Sequence, residues 1–184
     1  MTIKHLTMAE LEAGLDHIRQ SPRDGGVLEM IVRRPFTDKR ELLPEGVLET
    51  AVGLLGDNWQ ARGSKSMPDG TANPDAQLTL MNSRAADLVA QSRDRWPLAG
   101  DQLYVDFDLS VENIPPGTRL GIGEAVVEVT ALPHTGCQKF VARFGKDAMK
   151  FVNSPQGKQL HLRGINTKVV QPGTIRLGDS VSKL

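Results

Sequence analysis

The spacing of apolar residues predicts mixed elements in the first hundred residues of the chain. Residues 7–10 read TMAE, which forms a capping box, and the helical spacing of the next apolar residues predicts an N-terminal helix. Those residues are Met8, Leu11, Leu15 and Ile18. The further elements predicted here are a strand over 27–35, a short helix over 44–57 closed by Gly56, a polar loop over 60–77, a strand over 78–82 and a helix capped by Ser83.

The second half is predicted to consist mainly of strands. Strict alternation over 101–110 predicts a half-buried strand, with Leu103 and Phe107 on the buried face and Tyr104 on the exposed face. The elements expected after it are two strands over 119–132 that bend at Gly121 and Gly123, one helix over 146–154 and two or three short strands over 158–181. We therefore predict a mainly β (α+β) protein, a small barrel or sandwich with peripheral helices.

Composition and the N-terminal sequence indicate the cellular compartment and argue against two classes of partner. Twenty-two basic residues balance twenty-two acidic ones, so the chain lacks the cationic surplus that nucleic acids and anionic membranes attract; we expect neither as a partner. A single cysteine cannot form an intrachain disulfide. The N-terminus does not resemble a secretory signal, and no apolar run is long enough to span a membrane. We expect a cytoplasmic protein.

Known metal, phosphate and nucleophile motifs give little support for a site. The four histidines have no spacing that would direct them at one zinc ion; they are His5, His17, His134 and His161. The stretch GIGEAV, residues 121–126, lacks the third glycine of a dinucleotide-binding loop, and the chain has neither a phosphate-binding GxxxxGK[ST] loop nor a GxSxG nucleophile motif. This leaves the cysteine as the candidate for chemistry.

Cys137 lies in the polar stretch HTGCQKF, residues 134–140, which reads as a loop between strands. His134 and Lys139 are close enough in sequence to lower the pKa of the thiol if their side chains converge on it. A thiolate can attack sulfur or bind a soft transition metal. A lone cysteine is also a common buried apolar residue, so the residue types alone leave the reactive and the inert interpretations equally open.

The order of several sequence blocks resembles the MOSC domain, the module that ends molybdenum cofactor sulfurases and also occurs alone in small bacterial proteins. AGDQLYVDFDLSVENIPPGTRLGIGEAVVEVTALPHTGC looks like the family's paired strands leading to its cysteine, and LRGINTKVVQPGTIRLGDSV looks like its closing strands. NPDAQLTLMNSRAADLVA resembles the upstream loop, strand and helix. The resemblance implies a MOSC β-barrel over 57–184, with residues 1–56 as an N-terminal extension packed on it.

The resemblance also implies a role for Cys137 as a persulfide carrier or as a ligand of molybdenum in a molybdopterin cofactor. Further cofactor-binding candidates follow from the motif positions, since the pterin phosphate needs hydrogen-bond donors. They are His134, Thr135, the backbone around Gly136, Lys139, Arg163 and Arg119. Simpler structural roles stay open for several of them: His134 as a turn cap, and Arg119 and Arg163 as solvated surface charges.

Two departures from the family pattern affect the cofactor prediction. Many members have Gly-Glu-Asn-Leu where this chain has GDQL, so Asp101 and Gln102 replace a glutamate and an asparagine. Members also often carry a histidine in the upstream loop, where this chain has Asn73. If these positions contact the cofactor in relatives, cofactor binding is altered here. Neither departure involves Cys137.

Two functions from different classes follow. In the first, Cys137 binds the molybdenum cofactor and the protein reduces a small N-oxygenated substrate with a separate electron-donor protein, since the chain has no flavin or iron–sulfur motif. In the second, Cys137 carries a persulfide, with a separate sulfur-donor protein as partner, and passes the sulfur on without catalysing a reaction. A thiol hydrolase using His134 or His161 ranks below both. Pyridoxal phosphate is not expected in a chain of this length, and the substrate and oligomeric state are left open.

Overall fold

The computed structural model describes residues 3–184, which form a closed seven-stranded β-barrel with helices packed around it. This confirms the predicted mainly β class with peripheral helices. The strands are β1 Gly26–Arg33, β2 Glu41–Leu43, β3 Glu45–Glu49, β4 Gly53–Leu54, β5 Leu78–Asn82, β6 Leu103–Asp106, β7 Arg119–Ile122, β8 Ala125–Val129, β9 Ile165–Gln171, β10 Gly173–Arg176 and β11 Ser180–Lys183. The α-helices are α1 Met8–Ala13, α2 Leu15–Arg19, α3 Trp59–Arg62, α4 Ser83–Ala90, α5 Gln138–Phe144, α6 Lys146–Asn153 and α7 Pro155–Gln159; 3₁₀ turns span Pro74–Ala76 and Arg93–Ala99.

Pairing between the first and last strands closes the barrel. The order around it is β11, β7, β8, β9, β5, β6 and β1, and the N-terminal end of β1 then pairs with β11. The C-terminal end of β1 pairs with β2, which extends the sheet beyond the barrel. The pairing of β5 with β6 is parallel, and the other strand pairs of residues 3–184 are antiparallel. A small separate sheet contains β10, β3 and β4.

Strand β1 comes from the segment that the sequence assigned to an N-terminal extension. It pairs with β6, β11 and β2, so this segment contributes one wall of the barrel. The division into an extension over 1–56 and a domain over 57–184 stays a prediction.

Two apolar cores lie on the inner and outer sides of the barrel wall. Leu103 and Phe107 belong to the interior core, and Tyr104 belongs to the outer core between the barrel and the helices. The prediction that Tyr104 lies on an exposed face is therefore wrong. It is fully buried because helices cover the outer face of β6, and its hydroxyl donates to the carbonyl oxygen of Trp96 at 2.6 Å. Strand β6 is thus buried on both faces.

The N-terminal helix and its capping box are confirmed, although Gly14 divides the helix into α1 and α2. The predicted strands over 27–35 and 78–82 are confirmed as β1 and β5. The helix after β5 is also confirmed as α4, but its cap is Asn82 rather than Ser83, since the Asn82 side chain accepts from the N–H of Ala85. Most of the predicted polar loop over 60–77 lies between α3 and the 3₁₀ turn at Pro74–Ala76.

The predicted helix over 44–57 is wrong, because this segment forms β3 and β4. Burial alternates strictly along β3: Gly46 and Leu48 point inward, and Val47 points outward. That two-residue period is typical of a strand, and pairing with β10 supplies its hydrogen bonds. Gly56 lies in the turn after β4 with φ of +84°, which glycine readily adopts.

The helices around Cys137 differ from the prediction. The predicted helix over 146–154 is confirmed as α6, but α5 and α7 flank it and were missed. Cys137 therefore lies directly before a helix, not in a loop between two strands. Phe140 and Phe144 are buried four residues apart in α5 with ring centroids 4.8 Å apart, so one helix face packs on the outer core. The strands predicted over 158–181 are confirmed as β9, β10 and β11, which begin at Ile165.

Candidate functional site

The only cysteine lines a cleft of about 420 Å³, which we call the thiol cleft. One carboxylate, from Asp38, lines it, together with His134 and six cationic side chains. The cationic residues are Arg34, Arg40, Arg62, Lys139, Arg143 and Arg163. The cleft therefore combines a thiol with a concentration of positive charge, although the whole chain has no net charge.

The loop that carries His134 and Cys137 is held at two points by asparagine side chains. Asn166 of β9 donates to the carbonyl oxygens of Leu132 at 3.0 Å and Pro133 at 3.3 Å. Asn153 of α6 accepts from the N–H of Gly136 at 2.8 Å and donates to its carbonyl oxygen at 3.1 Å. These bonds satisfy backbone groups of a loop that pairs with no strand. They also fix the position of the loop just before α5, where Cys137 lies.

The Cys137 thiol is exposed, and its surroundings favour the thiolate. Partial burial raises the pKa of Cys137, but the N–H groups of Phe140 and Lys139 and the charges of Arg163 and Arg143 outweigh this and lower it. The thiolate is the form that attacks sulfur or binds a metal. Exposure and a lowered pKa together favour the reactive interpretation of this cysteine over the inert one.

A buried network joins Asp101 to two residues of the thiol cleft. The Asp101 carboxylate is fully buried; it accepts from Arg163 Nη1 at 2.6 Å and lies 2.9 Å from His134 Nε2. Arg163 also donates to the carbonyl oxygen of Ala99 at 2.8 Å. Gly164, the residue after Arg163, has φ of +106°, which glycine readily adopts, and a Cβ there would collide with the carbonyl oxygen of Leu80.

The network fixes the protonation states of its members. Burial raises the pKa of Asp101, but the charge of Arg163 and the hydrogen bond with His134 outweigh it and hold that pKa well below its usual value. Burial and the nearby Arg163 charge lower the pKa of His134, although Asp101 opposes them. At neutral pH we therefore assign an ionised Asp101 and a neutral His134 whose Nε2–H donates to it, which leaves His134 Nδ1 as an acceptor.

The cations of the thiol cleft differ in how strongly carboxylates hold them. Arg34 forms a two-point ion pair with the fully buried side chain of Asp57, with bonds of 2.9 and 2.7 Å. Lys139 and Arg143 both contact the exposed Asp38, the second also donating to the carbonyl oxygen of Leu98.

Arg40 and Arg62 have no carboxylate within 4 Å among residues 3–184. Burial and the charge of Arg34 lower the pKa of Arg62, and burial with the charge of Arg143 lowers that of Arg40. Both guanidiniums therefore repel neighbouring cations and would be stabilised by an anion in the cleft.

Two buried polar atoms on cleft residues have no hydrogen-bond partner in the described part of the chain. They are Asn58 Oδ1, an acceptor, and Arg163 Nε, a donor. Buried polar groups in folded proteins are nearly always paired, so each of these two atoms is a position where a ligand or water would complete the hydrogen bonding.

The structure brings four of the sequence-derived candidates together in the thiol cleft: Cys137, His134, Lys139 and Arg163. It does not bring the other three there. Arg119 on β7 pairs with Glu128 at 3.2 Å, Thr135 lines a neighbouring cavity, and the Gly136 N–H is already bonded to Asn153. The functional roles of all seven residues stay predictions.

Sequence reasoning missed Asp101 as a site residue and also four of the cations: Arg34, Arg40 and Arg62 from earlier segments, and Arg143 from α5. Asp101 was noted only as a departure from the family pattern. The feature of the sequence that could have indicated Arg62 is the long polar loop over 60–77, which contains this residue.

The other residues that depart from the family pattern, Gln102 and Asn73, have hydrogen-bond partners of their own. Gln102 accepts from the N–H and hydroxyl of Thr79, at 2.9 and 2.7 Å. Asn73 caps the 3₁₀ turn after it by accepting from the N–H of Asp75 at 3.0 Å. Neither residue lines the thiol cleft.

Comparison with protein families decides the identity of the chain. The model of the MOSC domain matches residues 68–182, more than half of the sequence. The chain belongs to the MOSC domain family. No curated protein matches it.

Solved structures share the fold of this MOSC protein at low sequence identity. YuaD from Bacillus subtilis is 14% identical with a TM-score of 0.60, over 85% of this chain and 93% of YuaD. YiiM from Escherichia coli is 20% identical with a TM-score of 0.55, over 86% of this chain and 69% of YiiM. YiiM from Geobacillus stearothermophilus is 13% identical with a TM-score of 0.54, over 86% and 73%. At these identities the likeness concerns the fold.

Two further observations bear on the environment of the MOSC protein. Within residues 3–184, no three His, Cys, Asp or Glu side chains form a set that could hold a metal ion. The described helices are also all too short or too polar to cross a bilayer.

Proposed function

We propose that this MOSC protein presents the Cys137 thiolate as a ligand to molybdenum in a molybdopterin cofactor, and that it supports reduction of a small N-oxygenated substrate. The observation that carries the proposal is the position of the only cysteine. Its thiol is exposed, its pKa is lowered, and it lines a cleft with six cations. A thiolate is a soft ligand, suited to a transition metal.

The residues of the thiol cleft fit such a cofactor. Within residues 3–184, Arg62 and Arg40 have no carboxylate partner; they would hold the pterin phosphate, with Lys139 nearby in the same cleft. Asn58 Oδ1 is a buried acceptor without a donor and would accept an N–H group of the pterin. The chemistry that the cofactor supplies when bound is two-electron transfer at molybdenum.

The network around Asp101 prepares the cleft for proton transfer. Reduction of a hydroxylamine to an amine consumes two electrons and two protons, breaks the N–O bond and releases one water. His134 is neutral, and its Nδ1 has no partner among the described residues, so this atom would hold and pass a proton within the cleft. Asp101 acts through His134 and Arg163, and we regard it as a positioning residue. The electrons would come from a separate donor protein.

A molybdenum measurement tests the proposal. The full chain is purified from molybdenum-replete cells, and metal per protein is measured for wild type and three variants. We expect wild-type protein to carry molybdenum, Cys137→Ala to lose it and Arg62→Gln to retain less of it. Arg176→Gln is the matched control, since this arginine pairs with Glu45 at 3.2 Å outside the thiol cleft, and should retain the wild-type amount. Metal retained in Cys137→Ala at the wild-type level contradicts the proposal.

The same exposed thiol also suits the alternative of a sulfur carrier without enzymatic activity. Mass spectrometry after incubation with a sulfur donor separates the two functions. A Cys137 peptide heavier by about 32 Da, the mass of one sulfur atom, on protein without molybdenum would favour the carrier. Either function places the protein in a reducing compartment such as the cytoplasm, where a free thiol persists.

A further inference from the structure

A second cavity, of about 340 Å³, adjoins the thiol cleft. Leu132, Pro133 and His134 line both spaces, so their loop forms the partition between them. Cys137 lines the thiol cleft and not the second cavity, and the cofactor proposed above does not use this space. The volume lies within the range of roughly 300–1,000 Å³ that small-molecule sites occupy.

The interior of the second cavity is largely apolar. Val152 and Ile165 are buried in its wall, while Val111 contributes a branched apolar side chain that is 45% exposed. Pro116 also lines it and is exposed. Filling this space with an apolar group would remove the exposed surfaces of Val111 and Pro116 from water, which favours a ligand with an apolar body.

The charged groups that line the second cavity are basic. Lys158 is exposed and has no carboxylate within 4 Å in the described residues, and no Asp or Glu lines the cavity. Arg163 is only 7% exposed, and its Nε–H has no acceptor within residues 3–184. The imidazole of His161 is fixed in the wall by a 2.6 Å hydrogen bond between Nδ1 and the carbonyl oxygen of Leu109. An apolar body with one negatively charged group would match this set.

We propose that the second cavity is a binding site for a small apolar monocarboxylic acid, aromatic or branched aliphatic. Its hydrocarbon part packs against Val111 and Pro116, and its carboxylate accepts from the ammonium group of Lys158. The site does not depend on the proposed cofactor, because its own walls supply both the apolar surface and the charge. Arg163 lines both spaces and therefore links this site to the thiol cleft.

Binding of three probes of one size tests the ligand class. Purified full-length protein without added cofactor is titrated with benzoate, benzyl alcohol and benzylamine. Binding is measured by calorimetry and by changes in backbone amide chemical shifts in NMR spectra. We expect saturable binding of benzoate with chemical-shift changes at residues 111–116 and 157–165, weaker binding of the alcohol and none of the amine. Absence of saturable benzoate binding, equal binding of benzylamine, or shift changes confined to thiol-cleft residues would overturn the proposal.

Variants locate the site. Ala131 lines the second cavity at an exposed position, so Ala131→Trp should block it and abolish benzoate binding while the fold is kept. Lys158→Met should weaken binding about threefold, the effect of one exposed ion pair. Lys150→Met, an exposed lysine of α6 outside both spaces, is the matched control.

Cys137→Ala should bind benzoate normally, so loss of molybdenum and loss of the acid site are distinguishable. Unchanged benzoate affinity in both Ala131→Trp and Lys158→Met would also overturn the assignment.

Discussion

At the scale of single residues, Asp101 organises the thiol cleft without lining it. Its carboxylate is fully buried and holds His134, 33 positions away, and Arg163, 62 positions away. A carboxylate in such a position is stable only because a cation and hydrogen bonds compensate the loss of water. Sequence reasoning selected His134 and Arg163 by motif position but noted Asp101 only as a substitution, because a contact between distant segments leaves no local pattern.

We predict that Asp101→Asn destabilises the fold by about 3 kcal/mol at neutral pH, because it leaves the Arg163 guanidinium buried without a counter-charge. The pKa of Asp101 is lowered in the folded state, so its charge stabilises the protein above its unfolded pKa of about 3.9 and this contribution is lost as pH falls below it. Urea unfolding of wild type and variant should show a constant difference at pH 7 and 5 that shrinks below about pH 4.

Asp16→Asn is the control for this experiment. Asp16 forms an ion pair with Arg19 on the surface of α2, and its side chain is 86% exposed, so its loss should leave the free energy of unfolding unchanged. A difference between wild type and Asp101→Asn that persists undiminished at pH 3 would show that the effect comes from packing rather than from the charge.

At the scale of elements, a segment whose apolar residues fit both a helical and a strand spacing is the kind that the sequence predicts wrongly. Residues 44–57 contain apolar positions compatible with a helix, yet β3 and β4 form there because β10 offers a partner edge. The sequence did not predict α5, because only two of its seven residues, Phe140 and Phe144, are buried, which is too few to produce a clear helical pattern. Short segments of this kind are decided by the neighbours with which they pair or pack.

Substitutions at adjacent positions of β3 test its assignment as a strand. Leu48 is fully buried and Val47 is 36% exposed, since neighbours in a strand point to opposite faces. Leu48→Ala should lower the free energy of unfolding by about 2–5 kcal/mol, and Val47→Ala by less than about 1 kcal/mol. Urea unfolding measures both, and equal losses at the two positions would contradict the alternation on which the strand assignment rests.

At the scale of the whole molecule, closure of the barrel depends on β1 and β11, elements from the two ends of the chain. Gly26 and Val27 pair with Val181 and Ser180. Gly26 is required there by space, because a Cβ at this position would collide with the carbonyl oxygen of Asp106 and the ring of Phe107. The closing pair is therefore sensitive to the addition of one carbon atom.

We predict that Gly26→Ala destabilises the protein by about 1–3 kcal/mol, the usual cost of overpacking. Gly121→Ala is the matched control in another barrel strand, because a Cβ there would meet only the Leu184 side chain at an ordinary 3.5 Å. It should leave stability unchanged or raise it slightly, since alanine restricts the unfolded chain. Thermal unfolding measures both variants, and hydrogen exchange in β1 and β11 should rise in Gly26→Ala alone.

The sequence by itself determined the mainly β class, most strands of the barrel, the family and the single residue able to supply a thiolate. Alternation, turn residues and ordered motif blocks are local, and the chain carries them without reference to its folded form. Only the tertiary structure decided that β1 closes the barrel, that six cations line one cleft with the thiol, and that Asp101 joins His134 to Arg163. The physical reason is that charge interactions and desolvation depend on distance in space, which folding sets between residues far apart in sequence.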